Sequence, residues 1–284
     1  MIELEAVTRA SRADLDTTFF VRHRRPVSQM RELEREPSPD TPACTRLAIV
    51  GRGRVGGALA AALRRAGYEV SGPLGRGADG FDAHAVLLCV PDAEISSAAS
   101  RVVPGPLVGH CSGATGLAEL TPHEAFSFHP LMTVTAEGAD FAGAGAAIAG
   151  TTPRALGFAS ELAAALGMRA VEVAEEDRAA YHAAASIASN FLVTLEAAAE
   201  RVAADTGLER AQLVPLVRAT VENWARLGPE RALTGPVARG DDATVERQRA
   251  AIEDVAADLL PLFDALVDAT RALAAARDRE VQPA

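Results

Sequence analysis

The sequence predicts an α/β protein, in which a doubly wound parallel sheet is followed by an all-α helical domain. Three observations carry this prediction. Apolar runs at Leu47–Val50, Ala85–Val90, Pro106–His110 and Ala125–Leu131 recur between helical patterns and read as buried strands. The first run breaks into Gly51-x-Gly53-x-x-Gly56 and then into a helix, with Ala58, Leu59, Ala62 and Leu63 at helical spacing. From Glu175 to the end, every apolar pattern is helical and no strand-like alternation appears.

Composition bounds the class. With 49% hydrophobic residues, the 284-residue chain can bury a real core and is not disordered overall. A net charge of −10 without a basic stripe argues against nucleic acid as a partner. No run of about 18 apolar residues occurs, so no membrane span is expected. All 28 basic residues are arginine, which removes any catalytic lysine. The three cysteines, Cys44, Cys89 and Cys111, show neither metal-ligand spacing nor a disulfide framework. Cys89 reads as a core residue, and with no signal-peptide pattern the expected location is the cytoplasm. Residues 1–44, charged and proline-rich, read as a tail outside the fold, with Met30 as an alternative start.

In chain order, the glycine loop comes first. Gly51 allows the tight turn, Gly53 lets backbone approach a pyrophosphate, and Gly56 lets the helix lie close on the strand. The helix start, with Arg54 and Val55, then offers N–H groups and a favourable dipole to phosphate. This helix closes at Gly67, and a second strand follows near Tyr68–Val70. After it, Ser71–Gly80 is too short and glycine-rich for a crossover helix. The end of that strand carries no acid for a ribose 2′-hydroxyl but offers Arg76, so NADP is favoured over NAD. The third strand ends at Val90-Pro91, with Asp92 as a cap for a helix over Ala93–Val102. The fourth runs into His110-Cys111-Ser112. Val90, Pro91, His110 and Ser112 therefore stand beyond strand carboxyl ends, where a nicotinamide would lie. For His110, a histidine satisfied inside its own turn is an equal reading. His129 ends the next strand. Strands at Ala146–Gly150 and Ala170–Val173, flanking a helix over Pro153–Leu166, complete a dinucleotide-binding domain at residues 45–175.

Residues 176–284 read as a substrate and dimerisation domain. Around Tyr181–Thr194, His182, Ser186, Ser189 and Asn190 fall at i, i+4, i+7 and i+8 on one face. The remaining faces are apolar, so the helix is expected to be buried with its polar stripe lining a pocket. Interhelical hydrogen bonding is the alternative. A second helix covers Leu213–Leu227, and a third runs from Ala243 to Arg277 with a kink at Pro261. Between them, Leu233–Asp242 contains Thr234, Pro236 and Arg239, and Asp241 or Asp242 serves as an N-cap.

These motifs together resemble one family. The glycine fingerprint, His110-Cys-Ser-Gly113, His129-Pro130, Tyr181-His182 with Ser189-Asn190, and Leu233-Thr-Gly-Pro-x-x-Arg-Gly-Asp241 are similar to those of the Rossmann-like family whose C-terminal half is domain of unknown function 2520. That family is similar to pyrroline-5-carboxylate reductases and to proteins with a 6-phosphogluconate-dehydrogenase-like helical domain. The resemblance covers residues 46–280. It implies NADP-linked oxidoreduction and a homodimer formed through the helical half.

The expected function is thus an NADP-dependent oxidoreductase moving a hydride between nicotinamide and a small C=N or C=O substrate of acidic character. His182 is the first candidate for proton donor, since imidazole titrates near neutral pH, and His129 is the second. Asn190, Ser186 and Thr234 would orient substrate, and Arg239 would bind its acidic group. The alternative is a non-enzymatic NADP-binding sensor with the same fold.

Overall fold

The computed structural model describes residues 46–80 and 82–281, with the side chains of 278–281 excepted; the tail reading for residues 1–44 lies outside them. Seven strands form one sheet in the order β2-β1-β3-β4-β5-β6-β7. Strands β1 (Arg46–Val50), β2 (Glu69–Leu74), β3 (Ala85–Leu88), β4 (Leu107–His110) and β5 (Ala125–Leu131) are mutually parallel. Strand β6 (Gly145–Gly150) runs antiparallel to β5, and β7 (Arg169–Glu172) is parallel to β6. Helices α1 (Arg54–Arg65) and α3 (Pro153–Ala165) pack their apolar residues into one core with Leu47, Ile49, Phe126 and Phe128. The short α2 (Ile95–Ala99) belongs to a second core with Ala48, Val50, Val86 and Leu88. Alternate residues of β1 enter the two cores, as expected of a strand covered on both faces. The sheet is doubly wound, and its order reverses between β1 and β3.

Several local expectations are corrected. Strand β2 continues past Val70 to Leu74, because Gly72 adopts φ +121 where a Cβ would lie 2.4 Å from the Ile49 carbonyl oxygen. Only glycine lets the strand end pass that close to β1. Asp92 caps no helix: a 3₁₀ turn at Asp92–Glu94 leads into α2, and the Asp92 carboxylate instead accepts from Ser112 Oγ at 2.8 Å. Thr152, by contrast, caps α3 by accepting from Ala155 N–H, with Pro153 at the first helical position.

The helices after β7 are α4 (Arg178–Ser186), a π-helical turn (Ile187–Phe191), α5 (Leu192–Ala203), α6 (Arg210–Leu227), α7 (Pro229–Ala232), α8 (Asp242–Ala256) and α9 (Leu260–Val281). Helix α6 starts at Arg210, before the expected Leu213, because Glu209 and Gln212 form a capping box. The long final helix is two helices. The chain breaks at Ala256 (φ −157, ψ 57), and Pro261 falls in the first turn of α9, where its missing N–H leaves no bond unmade. The segment around Tyr181–Thr194 is not buried within this chain. Ile187, Phe191 and Val193 are 63%, 56% and 69% exposed, so among the described residues its apolar faces find no cover. Among the described residues, no helix is long and apolar enough to cross a membrane.

Candidate functional site

Strand register brings the loops of interest to one edge. Val50 pairs with Leu88, Leu88 with His110, and His110 with Ser127, so Gly51, Cys89 and Cys111 follow directly at the strand carboxyl ends and His129 lies just beyond. In an open α/β sheet this edge, beside the order reversal, is where ligands bind.

The glycine loop has the geometry of a dinucleotide cradle. A Cβ on Gly51, held at φ +121, would meet the Cys89 carbonyl oxygen at 2.1 Å; one on Gly56 would lie 2.1 Å from the Gly51 carbonyl oxygen. Gly53 is exposed with nothing within 4 Å of its Cβ position, so backbone there is open to a ligand. No side chain caps the α1 N-terminus and no acid stands in its first turn, which suits an anion. Val55 is half-buried against the core behind this turn, and Arg52 and Arg54 are exposed at its mouth. Arg76, just past β2, gives Nη1 to Glu94 Oε1 at 2.6 Å. Val90 and Pro91 border the same edge, half-buried and exposed respectively. Cys89 is half-buried, not fully in the core, and its Sγ lies 3.5 Å from Cys111 Sγ. The Cys111 thiol is held well above its usual pKa by that neighbour and by burial.

The loop after β4 is tied down by its own polar groups. His110 is fully buried, its Nδ1 accepting from Ser112 N–H at 3.2 Å and its Nε2 facing the Gly116 carbonyl at 3.2 Å. With Nδ1 an acceptor, the ring is the neutral Nε2–H tautomer, and burial lowers its pKa accordingly. The reading of His110 as a histidine satisfied within its turn is the one the geometry favours. Ser112 Oγ donates to Asp92 and accepts from the N–H groups of Ala114 (3.2 Å) and Thr115 (2.9 Å). Both residues thus fix the shape of the loop after β4.

The third part joins sheet to helices. His129 Nδ1 lies 2.7 Å from the Tyr181 hydroxyl, the rings edge-to-face at 5.7 Å. His182, next along α4, has its ring centroid 6.4 Å from that of His129. Gly113 lies at the gap between them: a Cβ there would be 3.0 Å from both His129 Cε1 and His182 Cδ2. Beneath, Arg178 is 3% exposed and pairs with Glu175 (3.2 Å) while giving Nη2 to Ser127 Oγ at 2.5 Å. Burial, then the charges of His182 and Arg178, push the His129 pKa down to about 4. Burial also raises that of Tyr181.

Tyr181, Arg178, Ser127, Asp92 and Gly113 were not singled out from the sequence as site residues. Arginine among acids reads as surface, and nothing local in the chain shows that Tyr181 meets a histidine 52 residues away. The polar stripe is re-aimed by the π turn, which holds Ser189 and Asn190; Ser186 is half-buried and Asn190 exposed. Within one chain, the Thr234–Asp242 loop packs on α9. Asp241 caps α8 by accepting from Thr244 N–H (3.1 Å), and Asp242 pairs with Arg271 of α9 at 2.7 Å. Thr234 is exposed, and Arg239 lines an open depression of about 610 Å³ with Arg271 and Arg277. Among the described residues, no group of three His, Cys, Asp or Glu side chains could hold a metal ion.

Comparison with known proteins agrees with this architecture. Residues 144–270 match the family described as Domain of unknown function (DUF2520). None of the curated proteins matches the chain. Among solved structures, a Bacteroides fragilis protein provisionally named an NADP oxidoreductase superposes with TM-score 0.70 at 20% identity, over 80% of this chain and 98% of that one. A Thermotoga maritima protein gives 0.66 at 25% identity over 82% and 99%. Plasmodium falciparum pyrroline carboxylate reductase with NADP bound gives 0.53 at 12% identity over 81% and 98%. The DUF2520 match thus runs from β6 of the sheet into α9, and the solved structures share the Rossmann-like fold of the chain.

Proposed function

We propose that this protein is an NADP-dependent oxidoreductase acting on a small C=N or C=O substrate of acidic character. One observation carries the reading: the glycine cradle and the His129–Gly113–His182 gap lie at the same carboxyl edge of one sheet. Gly51, Gly53 and Gly56 with Val55 would hold the pyrophosphate, and Arg54 and Arg76 the 2′-phosphate. Val90, Pro91, His110 and Ser112 would support the nicotinamide. When bound, that cofactor supplies or accepts a hydride, and the protein orients it and handles the accompanying proton. The two imidazoles at the gap serve the proton; Ser186, Asn190 and Thr234 orient the substrate. The similarity to a fold that in Plasmodium falciparum holds NADP supports the cofactor assignment.

NADPH should bind at least about tenfold more tightly than NADH, or about 1.4 kcal/mol, since no acid stands at the end of β2 and Arg76 does. Fluorescence titration measures both; equal affinities or a preference for NADH would refute the NADP assignment. Cofactor oxidation against panels of imines and oxo acids tests turnover. Tight NADPH binding with no turnover on any of them would favour a non-catalytic NADP sensor.

The working unit is a homodimer through the helical half. Beyond the exposed Ile187, Phe191 and Val193, the single tryptophan Trp224 on α6 is 57% exposed. Burying one such side chain contributes about 1.5–3 kcal/mol, so a second copy has ample apolar surface to cover. The partner's copy of the Thr234–Asp242 loop would then bring its arginine to this chain's cleft. Light scattering should give twice the chain mass, and Trp224→Glu should shift the protein to monomer. A wild-type monomer would overturn the assembly.

A further inference from the structure

The site contains two histidines at one gap, and their surroundings differ. His182 is exposed. His129 is half-buried, and its Nδ1 faces the Tyr181 hydroxyl at 2.7 Å. The ring's Cε1 and Nε2 lie 3.0 and 3.1 Å from the Cβ position of Gly113, on the side facing His182. A phenol O–H donating to Nδ1 leaves a neutral imidazole only one arrangement, with its proton on Nε2.

We propose that His129 Nε2–H delivers the proton to the substrate's nitrogen or oxygen, and that Tyr181 is the positioning residue that holds His129 in the delivering tautomer. This rests on the oxidoreductase reading above and revises the order of candidates that the sequence suggests. The groups around His129 agree with it. His182 and Arg178 oppose a positive charge there, His110 adds to that opposition, and Asp92 favours the charge more weakly than burial disfavours it. A neutral donor therefore faces the substrate at pH 7. Tyr181, its own ionisation disfavoured by burial, is protonated before the transfer and so has a hydrogen to donate to Nδ1.

The transfer balances. The His129 Nε2–H bond breaks as the substrate's N–H or O–H bond forms; the reduced nicotinamide, when bound, would supply the hydride electron pair to the adjacent carbon. The Tyr181 proton moves to Nδ1 as the Nε2 proton leaves, so the ring stays neutral, and afterwards Nδ1 returns it to the phenolate while Nε2 takes a proton from water. A direct imidazolium donor would need a ring that titrates near neutrality, which His129 does not.

The two parts of the proposal are separated by readout. In full-length protein with ¹⁵N-labelled histidine, long-range ¹H–¹⁵N spectra should show His129 neutral at pH 7 as the Nε2–H tautomer, without any substrate or cofactor. Tyr181→Phe should return it to a mixture of tautomers. On whichever imine or oxo acid turns over, His129→Gln should lower kcat by roughly 10²-fold or more with NADPH affinity within twofold. Tyr181→Phe should lower kcat by roughly tenfold, also with affinity unchanged. An Nδ1–H tautomer in the wild type overturns the proposal whatever the substrate, as does a larger loss of kcat from His182→Gln than from His129→Gln. NADPH binding with the expected tautomer but no turnover on any imine or oxo acid would instead defeat the oxidoreductase reading, and delivery with it.

Discussion

Gly51→Ala should destabilise the protein by at least about 3 kcal/mol and abolish NADPH binding. Two independent effects act at this position. The added Cβ would meet the Cys89 carbonyl oxygen at 2.1 Å, and that atom belongs to the backbone following β3, which cannot swing aside as a flexible side chain could. The φ of +121 is also a conformation that L side chains rarely adopt. For a body of this size the loss corresponds to roughly 6–12 °C in Tm. Gly53→Ala provides the contrast. Nothing lies within 4 Å of its Cβ position, so stability should hold while NADPH affinity falls, because backbone there must approach the pyrophosphate. Thermal melts with fluorescence titration separate the two. An unchanged Tm for Gly51→Ala would mean that the loop can rearrange and that the cradle is not rigid.

Arg178→Ala should cost about 2–4 kcal/mol, although an arginine next to three acids has the look of a surface residue. Its side chain is 3% exposed and that of its ion-pair partner Glu175 is 65% exposed, so solvent screens the pair and the pair itself contributes little. The larger losses are the buried aliphatic stem and the hydrogen bond to Ser127, a hydroxyl 1% exposed that would be left without its donor. The same substitution should raise the pKa of both His110 and His129, because the Arg178 charge lowers each of them. Urea melts and histidine titration by NMR read these two effects. A stability change below about 0.5 kcal/mol would place Arg178 among ordinary surface residues.

The helical half shows where one chain's sequence is an incomplete guide. The apolar pattern around Tyr181–Phe191 reads as burial, and burial is a correct inference only if something covers the faces. Among the described residues, Ile187 and Phe191 stay mostly exposed. Periodicity reports that a face is apolar and leaves open what packs on it. The break at Ala256 was hidden for a related reason. The apolar stripe from Ile252 to Leu273 has nearly continuous helical spacing on both sides of the turn, and a proline in the first turn of α9 looks the same as one that kinks a longer helix.

What the sequence by itself determined was whatever depends on neighbours in the chain. The buried strands, the glycine turn at φ +121, an aspartate cap at Asp241 or Asp242, and the change to all-helical structure after Glu175 follow from steric limits and hydrogen bonds a few residues long. The tertiary structure alone decided which distant groups meet. Sheet order brings the ends of β1, β3, β4 and β5 together, and α4 then lays Tyr181 on His129 across 52 residues and buries Arg178 against Ser127 across 51. No spacing in the chain encodes those pairs. They arise because the sheet and the first helix after it must share one packed boundary, and a polar group caught there has to find its hydrogen-bond partner within it.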